Sequence, residues 1–556
     1  MTEKPWHQHY DYFVPTTIRY PKCSVQDMFR MAASQYADRT ALSFYGTETT
    51  FWQIRNQMRR LANALAKLGV KKGERVGIQL PNCPQFVVAY LATLSLGAIV
   101  VNVNPLYTAQ ELRFIMKNTG METLFTFDMT LSVIRPLAKE VGLKRVIVTA
   151  ITDYIGGLGM STAKSLDLEE GWHHFSELIE GCSTTSLPKV PFDPGDPALI
   201  QFTGGTTGFP KGAVLSHANI VAATMQSAMW SPPMFGRSLY VLGVLPYFHV
   251  YGNLCVMNWG LTNGAVQVLL PNFDVDEVIA TILKFDEISW FPAVPTIISA
   301  VINHPRAGEA NLEKRIKMLN SGGAPMPSEL IEKIKDMGIA FSEGYGMSES
   351  TSMATSNPIF APKTGSIGIP MPDNDVRLVD IHNGVEDVKP GEPGEIILRG
   401  PTVMQGYWNN PDETRNQLCD GWLYTGDIAQ TDEDGFLYIV DRKKDMIIAG
   451  GFNIYPREID EVLYQHPKIS EAVAVGIPDD YRGETVKAFV VLKPGETATE
   501  KEIIDFCRGK MTAYKAPKLV EFRKEIPKSA VGKILRKILR DEEIQKKLMT
   551  QKAKEN

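Results

Sequence analysis

The stretch Thr203-Gly204-Gly205-Thr206-Thr207-Gly208-Phe209-Pro210-Lys211-Gly212 directly follows an apolar, strand-like segment from Ala198 to Phe202. Its four glycines, three threonines and one lysine contribute little to packing, but they offer backbone N–H groups, hydroxyls and a cation. A phosphate chain requires these groups. The stretch therefore predicts a nucleotide site. Taken alone, it has an alternative interpretation as a flexible connector between two strands.

The same stretch does not match the Walker A loop, which places a lysine directly after its last glycine and then a serine or threonine. Phe209 and Pro210 separate Gly208 from Lys211, and Gly212 follows the lysine. An ordinary P-loop NTPase is therefore disfavoured.

The bulk composition bounds the class of protein. At 556 residues the chain is too long for one hydrophobic core, so we expect two or more domains. With 44% hydrophobic and 22% charged residues, the composition is that of a globular protein. The net charge of -5 supplies no electrostatic reason to expect a nucleic acid as partner.

The cysteines and the apolar runs bear on location. The six cysteines form no CxxC pair, so neither a zinc site nor a disulfide framework is indicated. The first residues lack the pattern of a signal peptide, and no apolar run reaches the length of a membrane span. We expect a cytoplasmic protein, and peripheral contact with the inner face of a membrane stays open.

Helix-like and strand-like segments alternate between about residues 50 and 300. The strand-like segment from Arg75 to Leu80, for example, lies between helix-like segments from Phe51 to Leu68 and from Cys83 to Leu96. This alternation predicts an α/β fold in which helices cover parallel sheets. Ligands of such folds bind at the carboxyl ends of the strands, where the glycine-rich stretch lies.

The texture changes further along the chain. Short strands separated by Gly, Pro and Asp between residues 375 and 440 predict a small antiparallel sheet or barrel-like subdomain. After the charged segment from Arg442 to Asp445, helix and strand signals begin again, as in a small α+β domain. We therefore expect an N-terminal domain of residues 1–443 and a C-terminal domain of residues 444–556, with a polar tail from Asp541 to Asn556 that frays.

Four further motifs follow the glycine-rich stretch in order: Ser321-Gly322-Gly323-Ala324-Pro325, Gly344-Tyr345-Gly346-Met347-Ser348-Glu349, Tyr424-Thr425-Gly426-Asp427 and Pro527-Lys528-Ser529-Ala530-Val531-Gly532-Lys533. Together the five motifs resemble those of the adenylate-forming (ANL) superfamily, and the chain is most similar to its bacterial fatty acyl-CoA synthetases. The resemblance spans nearly the whole sequence. It implies an AMP-forming acid-thiol ligase that uses ATP, Mg²⁺ and coenzyme A and passes through an acyl-AMP intermediate.

The resemblance implies a role for most motif residues. Those implied to bind the nucleotide are Thr203, Gly204, Gly205, Thr206, Thr207, Gly208, Lys211, Gly323, Ala324, Pro325, Gly344, Tyr345, Gly346, Ser348, Asp427 and Arg442. Glu349 is implied to bind Mg²⁺, a hard cation that prefers oxygen ligands. Lys533 is implied to be the catalytic lysine, which reaches the substrate carboxylate and the α-phosphate.

Each role has a plainer alternative for the residue taken alone. Tyr345, implied to stack on adenine, is otherwise an ordinary half-buried aromatic residue. Asp427, implied to accept the ribose hydroxyls with help from Arg442, is otherwise a turn residue. Glu349 is otherwise a solvated helix-cap carboxylate, and Lys533 a solvated surface lysine.

The second half of such a reaction requires the lysine to leave and a thiol to enter. In the family the C-terminal domain rotates about a hinge, and the hinge position aligns with Lys444. The loop that contains Gly450 and Gly451 is then implied to face the active site, where these glycines leave room for the pantetheine of CoA.

The acyl end is assigned by resemblance as well. His249 is implied to border the substrate carboxylate, although a histidine in so apolar a run also fits a satisfied core residue. The residues implied to line the acyl pocket are Tyr251, Gly252, Trp259, Trp290 and Val294. They are mostly apolar, which predicts a hydrophobic acid. Medium- and long-chain fatty acids stand first, and alicyclic and aryl acids stay open because a pocket discriminates by about 1–3 kcal/mol per methylene.

Other functions stay open as well. The acceptor is a carrier protein if the enzyme is an acyl-AMP ligase, and a fatty-acid binding or uptake module with vestigial catalysis is a third interpretation. The expected partners are a small carboxylic acid and CoA, with no nucleic acid. A homodimer is neither indicated nor excluded.

Overall fold

The computed structural model of the protein describes residues 4–155, 166–183, 186–203, 210–231, 239–449, 452–479, 481–529 and 534–555. Eight predicted site residues lie outside these ranges: Gly204, Gly205, Thr206, Thr207, Gly208, Gly450, Gly451 and Lys533. Within the ranges the chain is a mixed α/β protein with five sheets.

The strands up to residue 300 are β1 (Thr40–Phe44), β2 (Thr47–Thr50), β3 (Arg75–Ile78), β4 (Ile99–Asn102), β5 (Thr123–Phe127), β6 (Arg145–Thr149), β7 (Trp172–His174), β8 (Pro197–Thr203), β9 (Lys211–Ser216), β10 (Tyr240–Gly243), β11 (Val266–Leu269) and β12 (Phe291–Ala293). The later strands are β13 (Met318–Ser321), β14 (Ala340–Tyr345), β15 (Thr355–Ser356), β16 (Ile369–Pro370), β17 (Asp375–Val379), β18 (Gly394–Arg399), β19 (Gly406–Tyr407), β20 (Leu418–Cys419), β21 (Trp422–Thr431), β22 (Leu437–Arg442), β23 (Ile447–Ala449), β24 (Phe452–Ile454), β25 (Ile469–Asp479), β26 (Gly483–Leu492) and β27 (Leu519–Phe522).

The helices are α1 (Val25–Gln35), α2 (Phe51–Lys67), α3 (Pro84–Ser95), α4 (Ala109–Thr119), α5 (Leu131–Val141), α6 (Phe175–Glu180), α7 (His217–Trp230), α8 (Val250–Gly252), α9 (Trp259–Asn263), α10 (Val275–Lys284), α11 (Pro295–Ile302), α12 (Leu312–Arg315), α13 (Ser328–Asp336), α14 (Pro411–Gln417), α15 (Pro456–Tyr464), α16 (Glu500–Lys510) and α17 (Arg536–Glu555). Short helical segments of other pitch include a 3₁₀ turn at Ser348–Ser350 and a π-helical stretch at Asn253–Asn258.

The largest sheet has the strand order β19-β9-β8-β4-β3-β5-β6-β7. Its strands from β8 to β7 run parallel, as the alternation predicted, whereas β9 and β19 run antiparallel. Thr203 therefore pairs with Lys211, and the glycine-rich stretch connects two antiparallel strands instead of a strand and a helix. This connection differs from that of a P-loop. Gly212 is required within the pair, because a Cβ there would lie 2.8 Å from Ile200 Cγ2.

A second parallel set, β12-β13-β14, continues into the antiparallel strands β15 and β16. A further sheet has the order β10-β11-β1-β2. Helix α3 lies within the main core and is buried along its whole length, because apolar residues occur on all its faces. The carboxyl ends of β12, β13 and β14 share one edge, which brings the segments after them together.

The short strands after residue 375 form the small antiparallel sheet that the sequence predicted, in the order β17-β18-β21-β20 with β22 beside β21. Strand β22 begins at Leu437, directly after a turn in which Gly435 has φ +84°.

The last part of the chain builds a sheet of its own from β23 to β27, with separate hydrophobic clusters on its two faces. The tail that was predicted to fray continues α17, which extends to Glu555, so that prediction is wrong. Leu539, on the same helix before this tail, is fully buried against β25 and β26. No helix of the described ranges combines the length and the apolar character needed to span a bilayer.

Candidate active site

Four side chains meet at the edge of the large sheet where β8 ends and β9 begins. Lys211 Nζ lies 2.5 Å from Glu413 Oε2 and 5.4 Å from the centre of the Tyr407 ring. The Tyr407 hydroxyl donates to Glu349 Oε1 at 2.7 Å. We call Lys211, Glu349, Tyr407 and Glu413 the Glu349 cluster. It joins two predicted site residues to two that the sequence analysis did not single out.

Local structure explains how the cluster assembles. Tyr407 ends β19, which pairs with β9 so that Tyr407 lies opposite Ala213. Glu413 lies in the first turn of α14, which Asn410 caps by accepting from the Glu413 N–H. Glu349 belongs to the 3₁₀ turn that follows β14. Three segments distant in sequence therefore meet at one point.

The Glu349 carboxylate is buried, with 6% of the residue exposed. Burial raises its pKa above the ordinary value of a glutamate, because water no longer solvates the charge. The hydrogen bond from Tyr407 and the positive charge of Lys211 act in the opposite direction. A carboxylate held in this way is prepared to receive a cation.

Replacement of Tyr407 by phenylalanine should move the acid limb of any cation-dependent activity toward higher pH. Loss of the hydroxyl removes a hydrogen bond that favours the ionised form of Glu349, so its pKa rises further. Below neutral pH we expect a rate about tenfold lower than that of the wild type. The measurement is a pH–rate profile of pyrophosphate release. Tyr424→Phe, whose hydroxyl donates to the Gly384 carbonyl, is the control, and an unmoved acid limb in Tyr407→Phe would contradict the coupling.

The backbone around Glu349 depends on glycine at position 346. A Cβ on Gly346 would lie 1.4 Å from the Ser352 carbonyl oxygen. The chain doubles back here, with Thr351 at φ 52° and Ser352 at φ 84°, and the Ser352 N–H donates to the Met347 carbonyl at 3.1 Å. Ser348, predicted to contact the α-phosphate, is buried within this turn.

A second polar group brings together three predicted nucleotide-binding residues. Tyr345 ends β14, and its hydroxyl donates to Asp427 Oδ2 at 2.7 Å. Arg442 Nε lies 3.2 Å from Asp427 Oδ1, because Asp427 and Arg442 are directly paired between β21 and β22. Each oxygen of the Asp427 carboxylate therefore has its own partner, the Tyr345 hydroxyl for Oδ2 and the Arg442 guanidinium for Oδ1.

The segment after β13 lies beside this group. Gly323 has φ +81°, a conformation that favours glycine. A Cβ added to Gly323 would lie 3.6 Å from Val294 Cγ1. Ala324 is half-buried and Pro325 is exposed. Gly344 lies within β14, where a Cβ would approach the Thr355 carbonyl oxygen to 3.1 Å. The predicted adenine strip is thus an accessible backbone segment at the edge of β12, β13 and β14.

Lys444, the predicted hinge residue, lies in the field of both groups. Desolvation and the positive charge of Arg442 together lower its pKa to about 8. Asp445, Asp427 and Glu349 act in the opposite direction.

The predicted acyl-end residues lie in the adjacent core. The Tyr251 hydroxyl donates to Asn320 Oδ1 at 2.7 Å, and His249 Nδ1 accepts from the Tyr251 N–H at 3.3 Å as the cap of α8. Close packing requires glycine at position 252, because a Cβ there would lie 2.3 Å from the Pro246 carbonyl oxygen. Trp259 and Trp290 pack edge to face with ring centres 4.3 Å apart, and Trp259 Nε1 donates to Ser231 Oγ at 3.0 Å.

Comparison with known proteins decides the family. The model of the AMP-binding enzyme family matches residues 29–408, and that of the AMP-binding enzyme C-terminal domain matches residues 458–533. The chain belongs to the AMP-binding enzyme family. A long-chain-fatty-acid–CoA ligase of Bacillus subtilis (strain 168) is 42% identical over 554 residues, which cover 98% of each chain. Its counterpart in Escherichia coli O157:H7 is 37% identical over 97% of this chain and 98% of its own.

Solved structures agree with this family assignment. The crystal structure of an anthranilate CoA ligase with anthranoyl-AMP superposes with a TM-score of 0.86 at 27% identity, over 95% of this chain and 98% of its own. An AMP-binding enzyme is adenylate-forming, so membership supports ATP as the nucleotide of this chain.

Two buried side-chain amides that were not predicted from sequence are linked by hydrogen bonds in this AMP-binding enzyme. Asn102 Nδ2 donates to Gln201 Oε1 at 3.0 Å, and Gln201 Nε2 donates to the Phe248 carbonyl at 3.0 Å. Both amides lie at the carboxyl ends of parallel strands, β4 and β8, and hold the segment that leads into His249. A polar residue that ends an apolar strand was the available signal.

Glu343 is a further missed residue, buried two positions before Tyr345. Its Oε1 accepts from the Met326 N–H at 3.2 Å, and burial raises its pKa to about 7. Arg457 lowers this pKa and Glu461 raises it, and both residues lie on α15. The pKa of Glu343 therefore depends on how α15 packs on this edge.

Replacement of Glu343 by glutamine should flatten the pH dependence of stability. The raised pKa means that the folded protein binds a proton more tightly than the unfolded chain, so the stability that this group contributes is present below about pH 4.5 and is lost as pH rises through about 7. We expect the free energy of unfolding of the wild type to fall by about 3 kcal/mol more than that of Glu343→Gln across this range. Urea unfolding between pH 4.5 and 8 measures the difference, with the exposed Glu329→Gln as control; parallel curves would contradict the assignment.

Proposed function

We propose that this chain is an ATP-dependent acyl-CoA synthetase that converts a hydrophobic carboxylic acid, foremost a medium- or long-chain fatty acid, into its CoA thioester with release of AMP and pyrophosphate. The observation that carries the proposal is the buried Glu349 carboxylate beside Tyr407 and Lys211, close to the Tyr345 and Asp427 pair. The full-length relatives named as long-chain-fatty-acid–CoA ligases support the choice of acid and acceptor.

The proposed reaction consists of two half-reactions, adenylation of the acid and transfer of the acyl group to CoA. An oxygen of the acid attacks the α-phosphorus of ATP, the bond to the bridging oxygen breaks, and pyrophosphate leaves. The thiolate sulfur of CoA then attacks the carbonyl carbon of the acyl-AMP, and AMP leaves with the anhydride oxygen. Negative charge concentrates at the phosphates in the first step, so fixed cations and donors contribute most of the rate.

The described residues fit these demands. We propose that Lys211 and the hydroxyl of Thr203 border the β- and γ-phosphates, that Ser348 contacts the α-phosphate, and that Asp427 accepts the ribose hydroxyls with Arg442 beside it. In the structure Lys211 pairs with Glu413 and Tyr345 with Asp427. Both pairs would exchange a protein partner for the nucleotide on binding.

The donor set of the Glu349 cluster fits Mg²⁺. No group of three or more His, Cys, Asp or Glu able to hold a metal occurs among the described residues. Mg²⁺ in nucleotide enzymes requires one or two carboxylates together with the phosphates, and Glu349 supplies one buried carboxylate. When bound, Mg²⁺ would neutralise charge on the leaving pyrophosphate. Tyr407 holds the carboxylate in place for it.

We propose a division at residues 443/444, with Lys444 as the hinge of a mobile C-terminal lid. In support, β23 to β27 form a sheet separate from that of β22, and the ends of the two parts touch where the Arg457 N–H donates to Asp441 Oδ2 at 2.8 Å. Lys533 remains the proposed catalytic lysine of the first step. Gly450 and Gly451 remain the proposed wall of the CoA tunnel.

The acid and the setting of the enzyme are open to narrower tests. An anthranilate ligase among the structural neighbours keeps an aryl or alicyclic acid as the alternative, and transfer to a carrier protein is the alternative acceptor. Tyr251, Gly252, Trp259, Trp290 and Val294 remain the proposed acyl lining. Cytoplasmic location remains a prediction, and peripheral membrane contact and a homodimer stay open.

The test is release of pyrophosphate and AMP from ATP with Mg²⁺ across short- to long-chain fatty, cyclohexane and benzoic acids, with and without CoA. We expect AMP and acyl-CoA with medium- or long-chain fatty acids. Selective turnover of ring acids would move the substrate class. Pyrophosphate release with retained acyl-AMP and no response to CoA would move the acceptor to a carrier protein, and no pyrophosphate with any acid would overturn the proposal.

A further inference from the structure

A cavity of about 490 Å³ lies at the end of the β8–β9 hairpin that is remote from Lys211. His217, which follows β9 and begins α7, is on its wall. Because a strand rises about 3.3 Å per residue, the wall at His217 is about 20 Å along β9 from Lys211. The cavity is therefore separate from the candidate active site.

The outer wall of the cavity is a linker, residues 186–192, held at three points. Asn63 Nδ2 on α2 donates to the Ser186 carbonyl at 2.9 Å, and Lys72 Nζ donates to the Pro191 carbonyl at 2.9 Å. Between these two points the linker packs on Gly97, just after α3. A Cβ added to Gly97 would lie 3.1 Å from Val190 Cγ1. These contacts fix the linker above α1, α2 and α3 and leave the space beneath it.

The carboxylates on the wall already have partners. Asp27 accepts from Ser24 Oγ at 2.6 Å and from Arg30 Nη1 at 2.7 Å. Asp196 accepts from Lys72 Nζ at 2.7 Å. Neither carboxylate is available to neutralise a further cation of the wall.

Two cations of the wall, Arg59 on α2 and Lys189 on the linker, have no ion-pair partner among the residues that the structure describes. In the part of the chain that the structure describes, no carboxylate lies within ion-pair distance of the Arg59 guanidinium. Burial lowers the pKa of Arg59, and repulsion from Arg55 and Arg30 lowers it further. Cations crowded without a counter-charge favour an anionic ligand.

His217 adds a neutral donor. Its Nδ1 accepts from the Val25 N–H at 3.3 Å, and burial lowers its pKa to about 4, so the neutral ring carries its proton on Nε2. The rest of the wall includes accessible apolar side chains, among them Leu187, Val190 and Phe192. The cavity thus combines donors and cations with an apolar surface in a volume typical of small-ligand sites.

We propose that this cavity binds an amphipathic organic anion, with its carboxylate or phosphate head on Arg59 and Lys189 and its alkyl body along Leu187, Val190 and Phe192. The planar guanidinium of arginine matches both head groups through paired hydrogen bonds. The site is additional to the substrate site and does not depend on the proposed function.

The experiment is photolabelling of the full chain, without ATP, by a decanoate that carries a diazirine near its methyl end. Peptide mass spectrometry then locates the label, which separates this cavity from the active site by sequence. We expect label on residues 187–192, displaced by decanoate or decyl phosphate and not by decanol. The better competitor of the two assigns the head as carboxylate or phosphate.

Arg59→Gln and Lys189→Gln should each lower this labelling about tenfold, because each removes a charge-assisted contact. Lys67→Gln, which removes an exposed cation from the end of α2, should leave it unchanged. Thermal unfolding confirms that the variants are folded, and Lys189 lies on the exposed linker where substitution is well tolerated. The proposal is overturned if residues 187–192 are not labelled, if neither glutamine variant lowers the label, if decanol competes equally, or if inorganic phosphate alone displaces the label as well as decyl phosphate does.

Discussion

Glu349→Gln is expected to lower the rate of pyrophosphate release by a factor of about 10²–10³ while the protein stays folded. Glutamine has the same shape and keeps an oxygen that can accept from Tyr407, so the hydrogen bond at 2.7 Å survives. What is lost is the negative charge that would hold a divalent cation against the phosphates. Burial adds to the effect, because a carboxylate with 6% exposure acts in a medium that screens charge weakly.

The measurement is pyrophosphate release as Mg²⁺ is varied, at fixed ATP and acid. We expect both a lower maximal rate and a higher Mg²⁺ requirement in Glu349→Gln. Glu74→Gln is the matched control, since Glu74 also accepts hydrogen bonds, from Thr123 and Arg145, but precedes β3 at the amino edge of the sheet. A Glu349→Gln enzyme with the wild-type rate and Mg²⁺ requirement would contradict the proposed role of Glu349 in cation binding.

Gly346→Ala is expected to abolish measurable adenylation and to destabilise the large domain by several kcal/mol. The added Cβ would lie 1.4 Å from the Ser352 carbonyl oxygen, which is within covalent distance, and backbone cannot move aside as a side-chain end can. The shift must pass into the 3₁₀ turn that positions Ser348 and Glu349. The proposed cation and α-phosphate contacts would therefore be lost through one methyl group.

Chemical denaturation and a nucleotide-binding titration measure the two parts of this effect. Gly308→Ala is the control, because the structure has nothing within 4 Å of its Cβ position and its φ is not positive. We expect that variant to keep the stability and the activity of the wild type. Normal ATP binding by a stable Gly346→Ala protein would show that the turn tolerates a different path.

Prediction from sequence was most successful where spacing alone specifies structure. Helix α2 was predicted from Phe51 to Leu68 and is observed from Phe51 to Lys67, because its apolar period and its capping box at Thr50 are local signals. The small antiparallel sheet was also predicted, from turn residues between short strands. The tail was wrongly predicted to fray, because its polar composition gives no sign that it continues a helix whose first turns pack on the sheet through Leu539.

The candidate site divides in the same way. Lys211, Glu349, Tyr345, Asp427 and Arg442 were all named from the resemblance to the family, and the structure gathers them into two adjacent polar groups. Tyr407 and Glu413 could not be named, because no motif links them to residues about 200 positions earlier in the chain. Their place depends on β19, a two-residue strand whose pairing with β9 has no local signal.

The sequence by itself determined the family, the order of the motifs and the chemistry that they can perform, because backbone flexibility, charge and hydroxyl groups are properties of the residues. The tertiary structure alone decided which charges meet, which carboxylates are buried and which cations lack a partner. Burial and contact arise from elements far apart in sequence, so the pKa of Glu349, the pairing of Tyr345 with Asp427 and the lack of an ion-pair partner for Arg59 among the described residues became visible only in the folded chain.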